Sequence, residues 1–265
     1  MASSPVDKTQ FQTLAPSYLT VDQLPCSQLE AQLIASALGD CTSLSILDLA
    51  GGTGFHARRA VVAANAARVD VVDISPEMLR LGQANTVEQL GIELAKRLRW
   101  FEGDLTRPLD IAELQHNYDI VMVNWLFDHA GSMDDLRQMW ENIVRYIKPG
   151  GKFIGVRALN PKAGYLSEER KGKYGITVSE VEEIEEGRGL RYLVTAMTEP
   201  ERFRFVSTSM EDSMLLRDEY AKELGMEGFE VVPVGGMGLV QGDEEFWEEL
   251  VGEPFLGVVV ASKGG

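Results

Sequence analysis

The chain has 265 residues, of which 45% are hydrophobic and 25% are charged, a composition typical of a globular protein. Acidic residues outnumber basic ones, 41 to 25, which gives a net charge of −16. Because a surface this acidic repels phosphate groups, nucleic acids and anionic membrane surfaces are poor candidates as partners. The length predicts a single large α/β domain with an insertion.

The sequence contains two cysteines, Cys26 and Cys41. Two are too few for a disulfide scaffold, and both are expected to be small buried side chains. The first residues lack the charged-then-apolar pattern of a signal peptide, and no apolar run approaches the length of a membrane span. We therefore expect a cytoplasmic protein.

Short β-rich runs alternate with helical periodicity from residue 45 onwards, a pattern typical of a parallel sheet with helices on its faces. Five strands are predicted here: Ser45–Leu49, Arg68–Val72, Leu98–Glu102, Asp119–Val123 and Lys152–Val156. Residues 1–44 are predicted to be a helical cap, with a helix over Ser27–Leu38. Ser132 and Asp135 predict the start of a helix before the fifth strand, and Lys148-Pro149-Gly150-Gly151 predicts its end.

The alternation breaks after the fifth strand. Asn160–Ser209 is predicted to be an insertion with two β-like runs, Leu190–Met197 and Arg202–Thr208. The Arg202–Phe205 alternation within it predicts one apolar face, which we expect to cover the mouth of a pocket. The acidic stretch Glu180–Glu186 favours the exposed face of a helix.

The regular pattern resumes with a predicted helix over Glu211–Leu224 and ends with two strands, Phe229–Val234 and Leu256–Ala261. The connection between these strands has no clear crossover helix apart from the short Asp243–Val251 stretch. Parallel neighbours need such a crossover, so we expect the last strand to be antiparallel.

A turn rich in small residues follows the first strand, in the segment Asp48-Leu49-Ala50-Gly51-Gly52-Thr53-Gly54. Glycine is needed where backbone approaches a ligand closely. The next strand ends at Asp73, where a carboxylate can accept from a pair of ribose hydroxyls. This pattern alone also fits a dinucleotide-binding fingerprint and a purely structural turn.

Three further features point to a ligand at the carboxyl edge of the sheet. Asp48 is an acid inside a strand, which is costly to bury without a polar group to organise. Gly103-Asp104-Leu105 follows the third strand, and Asn124-Trp125-Leu126-Phe127-Asp128-His129 follows the fourth. Open α/β sheets bind ligands at this edge, and a nicotinamide enzyme does not specifically predict these side chains.

With these motifs, residues 45–156 resemble the class I methyltransferases that use S-adenosyl-L-methionine (SAM), in the ubiquinone/menaquinone-type or glycine N-methyltransferase-like small-molecule branch. Four motifs occur in the expected order: Asp48–Gly54, Val71–Leu79, Phe101–Leu105 and Ile147–Gly151. Ala50 departs from the first glycine of many members. The resemblance implies a Rossmann-like, seven-stranded, mostly parallel sheet whose antiparallel last strand inserts between the fifth and sixth. It hardly covers residues 160–209, which we expect to form a partly β lid over the acceptor because they leave the sheet at the same carboxyl edge.

The resemblance also implies SAM contacts for ten residues. These are Ala50, Gly52 and Gly54 against the methionine half, Asp48 and Asn124 at its ammonium, Asp73 at the ribose hydroxyls, Ile74 and Met78 around the adenine, and Asp104 and Leu105 at the polar edge of the adenine.

Methyl transfer from a sulfonium needs mainly positioning and exclusion of water. If the acceptor must lose a proton, His129 is the candidate base, and Tyr18 and Trp125 are candidates for lining the acceptor pocket. His56 and His116 are expected at the surface or at helix starts. No metal-ligand spacing is found.

The function expected is methylation of a small molecule, which could belong to secondary metabolism, at an O, N, S or C atom. The main alternative is a cyclase or pericyclase that keeps the SAM site without net methyl transfer, since its cofactor motifs would be the same. A binding module and an NAD-dependent oxidoreductase are weaker alternatives. The identity of the acceptor and the oligomeric state are not predicted.

Overall fold

The computed structural model describes Asp7, residues 9–211 and residues 219–265. The helices are α1 (Gln10–Tyr18), α2 (Pro25–Leu38), α3 (Phe55–Val62), α4 (Pro76–Ala95), α5 (Met133–Tyr146), α6 (Glu219–Glu223), α7 (Gly238–Gly242) and α8 (Glu244–Gly252). The strands are β1 (Ser45–Leu49), β2 (Arg68–Asp73), β3 (Leu98–Glu102), β4 (Tyr118–Asn124), β5 (Ile147–Ala158), β6 (Ile176–Ile184), β7 (Gly189–Ala196), β8 (Phe203–Met210), β9 (Met226–Val231) and β10 (Leu256–Lys263). Within these ranges, no helix combines the length and apolar character needed to cross a membrane.

Seven of the strands form one sheet in the order β3-β2-β1-β4-β5-β10-β9. The first five pair in parallel, and β10 runs antiparallel to both of its neighbours. The predicted Rossmann-like sheet and the insertion of its antiparallel last strand are confirmed. The sixth strand is displaced, covering Met226–Val231 instead of Phe229–Val234, because Pro233 has no N–H to donate to the ladder.

The predicted helix before β5 is present as α5, and its ends follow from the sequence. The Ser132 hydroxyl accepts from the Asp135 N–H at 3.2 Å, the predicted N-cap. The helix ends at Tyr146, before the Lys-Pro-Gly-Gly segment. That segment is already part of β5, with an irregular register and with Gly150 in the left-handed region at φ 69°.

The described part of the N-terminal cap is helical as predicted. Leu29 and Leu33 of α2 are fully buried in the main core beside the sheet. Cys26 and Cys41 are free and buried, in agreement with their expected role as small core side chains.

Three antiparallel strands, in the order β6-β7-β8, form a second sheet from the insertion. The helix predicted for Glu180–Glu186 is wrong, because most of this stretch lies in β6, which ends at Ile184. Among the described strands β6 pairs with β7 alone, so its exposed carboxylates, including Glu182 and Glu183, lie on an edge strand, where charge discourages further pairing. Of the predicted helix Glu211–Leu224, residues 219–223 are helical as α6, and residues 212–218 lie outside the described residues.

Candidate cofactor and acceptor site

A cavity of about 210 Å³ lies at the carboxyl ends of β1, β2, β3 and β4. The parallel strands bring their terminal residues to this edge, as expected for an open α/β sheet. Eleven of the thirteen predicted site residues line it: Tyr18, Ala50, Gly52, Asp73, Ile74, Met78, Asp104, Leu105, Asn124, Trp125 and His129. Asp48 and Gly54 do not.

The glycine-rich turn between β1 and α3 uses left-handed backbone three times. Ala50, Gly52 and Gly54 have φ values of 59°, 55° and 73°. Ala50 therefore adopts the conformation that its Cβ disfavours. A Cβ on Gly52 would meet no atom within 4 Å, whereas one on Gly54 would lie 2.4 Å from the Trp100 ring. Gly54 thus serves the packing of helix on sheet, and Gly52 faces open space.

Asp73 ends β2 with a carboxylate that is held from both sides. Its Oδ2 accepts from the Gly52 N–H at 2.9 Å, and its Oδ1 accepts from the Ser75 N–H at 2.8 Å. Burial raises the pKa of Asp73 to about 6, although these backbone donors act in the opposite direction. Each oxygen keeps a second lone pair, so the carboxylate can still accept from two ligand hydroxyls.

Asp48 does not line the cavity, but it is hydrogen-bonded to Asn124, which does. The Asn124 amide donates to Asp48 Oδ1 at 3.4 Å. Burial raises the pKa of Asp48 to about 7. Asp48 Oδ2 and Asn124 Oδ1 are buried with no hydrogen-bond partner among the described residues. Two unsatisfied acceptors at one place suit a ligand with several donors, such as the ammonium of SAM.

The third carboxylate of this edge belongs to a local turn. Asp104 Oδ1 accepts from the N–H and the hydroxyl of Thr106, at 3.0 and 2.7 Å. Both the turn and the predicted ligand contact are compatible with this geometry, because Asp104 also lines the cavity. Met78 is held nearby at the start of α4, where its N–H donates to Ser75.

Aromatic side chains form the opposite wall of the cavity. The rings of Tyr18 and His129 pack edge-on against Phe11 of α1, with centroids 5.4 and 4.9 Å apart. Burial lowers the pKa of His129 to about 4, so this imidazole is neutral at neutral pH. Its Nδ1 is buried with no hydrogen-bond partner among the described residues.

Trp125 is held in place by a residue that the sequence interpretation missed. Its backbone is left-handed at φ 64°, and its indole N–H donates to the Glu30 carboxylate at 2.9 Å. The other oxygen of Glu30 lies 2.7 Å from His56 Nε2. His56 does stand at the start of α3, as expected, but it lines the cavity. Glu30 could have been found as a charge within the apolar stripe of α2.

Arg58 is a second missed residue of the cavity wall. It lies on α3, is buried and donates to the carbonyl oxygen of Thr53. The charge of Asp22, which also lines the cavity, favours the cationic form of Arg58, while burial lowers its pKa. A buried guanidinium in a cavity wall suits a ligand carboxylate, as SAM carries on its methionine part.

The insertion does not line the cavity, contrary to our expectation that its apolar face covers the mouth. α1 and the residues after it, including Phe11 and Val21, line the cavity instead. The predicted apolar face packs on α1, where the Phe203 and Phe205 rings lie 5.6 and 6.1 Å from Tyr18. α1 therefore lies between the insertion and the cavity. It is held there by Gln10, whose side chain donates to the Val206 carbonyl oxygen and accepts from the Val206 N–H at the edge of β8.

Potential metal ligands do not cluster at this site. Within the part of the chain that the structure describes, no group of three or more His, Cys, Asp or Glu side chains could hold a metal ion.

Comparisons with known proteins agree with this geometry. The family described as Methyltransferase domain matches residues 46–151. The malonyl-[acyl-carrier protein] O-methyltransferase of Halalkalibacterium halodurans is 24% identical over 149 residues, which are 56% of this chain and 50% of the relative. The ubiquinone/menaquinone biosynthesis C-methyltransferase UbiE of Nitrobacter hamburgensis is 31% identical over 115 residues, 43% and 42% of the two chains.

Among solved structures, the glycopeptide N-methyltransferase MtfA, complexed with sinefungin, superposes with a TM-score of 0.58 and 16% identity, covering 89% of this chain and 86% of that one. At this identity the similarity is one of fold. The chain spans about half the length of the curated relatives that it matches. Residues 46–151 therefore form a methyltransferase domain, and its fold is that of solved SAM-binding methyltransferases, which supports SAM as the cofactor of this domain.

Proposed function

We propose that this protein transfers a methyl group from SAM to a small molecule. One observation carries the proposal: a single cavity joins the glycine turn and the carboxylates of Asp73 and Asp104 to an aromatic wall that includes Phe11, Trp125 and His129. The first set offers acceptors for the polar groups of a nucleoside and an amino acid. The second set is apolar and suits the acceptor molecule.

The residues of the sheet edge would hold the cofactor. Asp73 accepts from the ribose hydroxyls, Asn124 accepts from the ammonium, and Arg58 pairs with the carboxylate. When bound, SAM supplies a methyl group already activated by its sulfonium. The work left to the protein is to orient the acceptor and to exclude water, and the apolar aromatic wall formed with α1 would serve both purposes.

His129 is the candidate for handling a proton of the acceptor. Its ring is neutral at neutral pH, so one nitrogen can accept a hydrogen bond from an acceptor O–H or N–H. Its lowered pKa of about 4 makes it a weak base. We propose that His129 orients the acceptor and takes its proton only as the new bond to the methyl carbon forms.

A small acceptor is favoured by the size of the cavity. Its volume is about 210 Å³, and α1 contributes Phe11 and Tyr18 to its wall. MtfA, with its similar fold, is a glycopeptide N-methyltransferase, which supports a secondary-metabolite acceptor as part of this proposal. The lack of nucleic-acid and membrane partners remains a prediction from the acidic composition, and the cytoplasmic location remains a prediction from the lack of a signal pattern.

A screen with methyl-labelled SAM tests the proposal. Amines, phenols, carboxylates and thiols of small size would each be incubated with the protein, with Asp73→Ala as the matched control. We expect label in the product of at least one class and much less with the variant. Label that enters no small molecule, but does enter a protein or nucleic acid offered in parallel, would contradict the small-molecule proposal.

A further inference from the structure

The turn that carries His129 is held from behind by the insertion. This turn, Phe127–His129, follows β4, and both Phe127 and Asp128 are fully buried. The Ser207 hydroxyl donates to the Asp128 carbonyl oxygen at 3.0 Å, and the Thr208 hydroxyl donates to the Ala130 carbonyl oxygen at 2.8 Å. Two adjacent residues of β8 thus bind the two ends of the Asp128–Ala130 segment.

The Asp128 side chain ties the same turn to the main sheet. Its Oδ1 accepts from the Ala158 N–H at 3.0 Å and lies 3.5 Å from the Tyr192 hydroxyl of β7. Burial raises the pKa of Asp128 to about 6, and the charge of Arg157, which is also fully buried, acts in the opposite direction. Asp128 Oδ2 is buried with no hydrogen-bond partner among the described residues, so the turn is held by the contacts of Oδ1 and by the two hydroxyls of β8.

We infer that Ser207 and Thr208 are positioning residues, which hold the 128–130 segment so that His129 faces the acceptor side of the cavity. The insertion then affects the acceptor indirectly, through the position of His129, since within the described ranges it lines no part of the cavity. The assignment of that side to the acceptor rests on the proposed function. The placement of His129 by β8 rests on the hydrogen bonds alone and is independent of the proposed function.

The chain offers a matched control for this inference. Thr195 and Ser209 are buried hydroxyl residues of the same small sheet, and their hydroxyls have no hydrogen-bond partner among the described residues. The test variant is Ser207→Ala with Thr208→Val, and the control is Ser209→Ala with Thr195→Val. Both pairs remove one Ser and one Thr hydroxyl, but only the first removes bonds to the turn.

The primary measurement is the NMR signal of the His129 ring in ligand-free protein labelled at histidine. The chain has three histidines, and His129→Asn assigns the signal. We expect one narrow His129 signal in the wild type and the control, and a broadened or doubled signal in the test variant. An unchanged signal in a folded test variant, or an equal change in the control, would overturn the inference.

A kinetic measurement adds the functional consequence, with the acceptor that the labelled screen identifies. Two lost hydrogen bonds correspond to roughly a tenfold fall in kcat/KM for the acceptor, while the Kd of S-adenosylhomocysteine should stay within about twofold because its residues lie on the other wall. A wild type that fails to bind S-adenosylhomocysteine would defeat the proposed function, and the NMR result would still decide the role of Ser207 and Thr208.

Discussion

The Asp73 carboxylate accepts a hydrogen bond from the backbone N–H of Gly52 at 2.9 Å. This bond joins the end of β2 to the turn after β1. The glycine-rich turn and the strand-end carboxylate, which both predicted a cofactor site, are therefore in direct contact. The ligand-facing lone pairs of Asp73 and the open backbone at Gly52 are presented together.

Asp73→Ala should weaken SAM binding by about 1.5–3 kcal/mol, the scale of hydrogen bonds to a charged group. Asp73→Asn should lose less, because its amide oxygen keeps one acceptor. Isothermal titration with S-adenosylhomocysteine measures both. If a folded Asp73→Ala variant bound S-adenosylhomocysteine with unchanged affinity, Asp73 would have only a structural role in the turn.

Cofactor affinity should rise with pH between about pH 5 and about pH 8. Burial raises the pKa of Asp73 to about 6 and that of Asp48 to about 7. Ionised Asp73 accepts best from the ribose hydroxyls, and ionised Asp48, which is hydrogen-bonded to Asn124, favours the ammonium of the cofactor through its charge. The sign for stability is the opposite. The folded protein holds these protons more tightly than the unfolded chain, so ionisation destabilises the ligand-free fold as pH rises from about 4 to about 7.

Thermal unfolding with and without S-adenosylhomocysteine, at both ends of this range, measures the effect. The shift in Tm caused by the ligand should be larger at the higher pH, and Asp48→Asn should reduce the difference. A ligand-induced shift that is equal at the two pH values would show that neither carboxylate titrates on binding.

Trp125→Phe should lower the free energy of unfolding by about 1.5–3 kcal/mol, because it leaves the buried Glu30 oxygen without its donor. Glu30→Gln is the partner substitution, and together they form a double-mutant cycle measured by chemical denaturation. We expect a coupling energy of about 1 kcal/mol or more between the two sites. Strictly additive effects would mean that the 2.9 Å contact contributes nothing to stability.

Ser132→Ala should destabilise the protein by about 1 kcal/mol, since the Ser132 hydroxyl accepts from the Asp135 N–H at the start of α5. Ser132→Asp should retain most of the stability, because Asp is also a good N-cap residue. Denaturant unfolding compares the three proteins. A loss of similar size in both variants would indicate packing instead of capping.

The main sheet was predictable because its signals are local. Buried strands such as β1 are continuous apolar runs, and α5 has both its cap and its stop in the sequence. The acidic stretch of β6 was mistaken for a helix because edge strands carry exposed charge for reasons set by the sheet, not by neighbours in sequence. The range predicted for β9 extended too far towards the C-terminus because too little weight was given to Pro233.

The cofactor half of the site could be predicted for the same reason: its residues stand at strand ends in fixed order. In the acceptor half, Tyr18, Trp125 and His129 were predicted, but the contacts that hold them were not. Glu30 meets Trp125 across 95 positions, and Gln10 meets Val206 across 196. Such contacts depend on how the cap and the insertion pack, which no local pattern specifies. The expected lid was therefore placed over the cavity, where α1 lies instead.

The central claim is methyl transfer to a small molecule. It is tested most directly by incubating the protein with SAM and the acceptor found in the labelled screen and by measuring the masses and amounts of the products by mass spectrometry. We expect a product heavier than the acceptor by one CH₂, together with one S-adenosylhomocysteine for each product formed, and neither when SAM is omitted. A product of unchanged mass, formed while SAM is not consumed, would contradict the claim and establish a cyclase that keeps SAM as a bound cofactor.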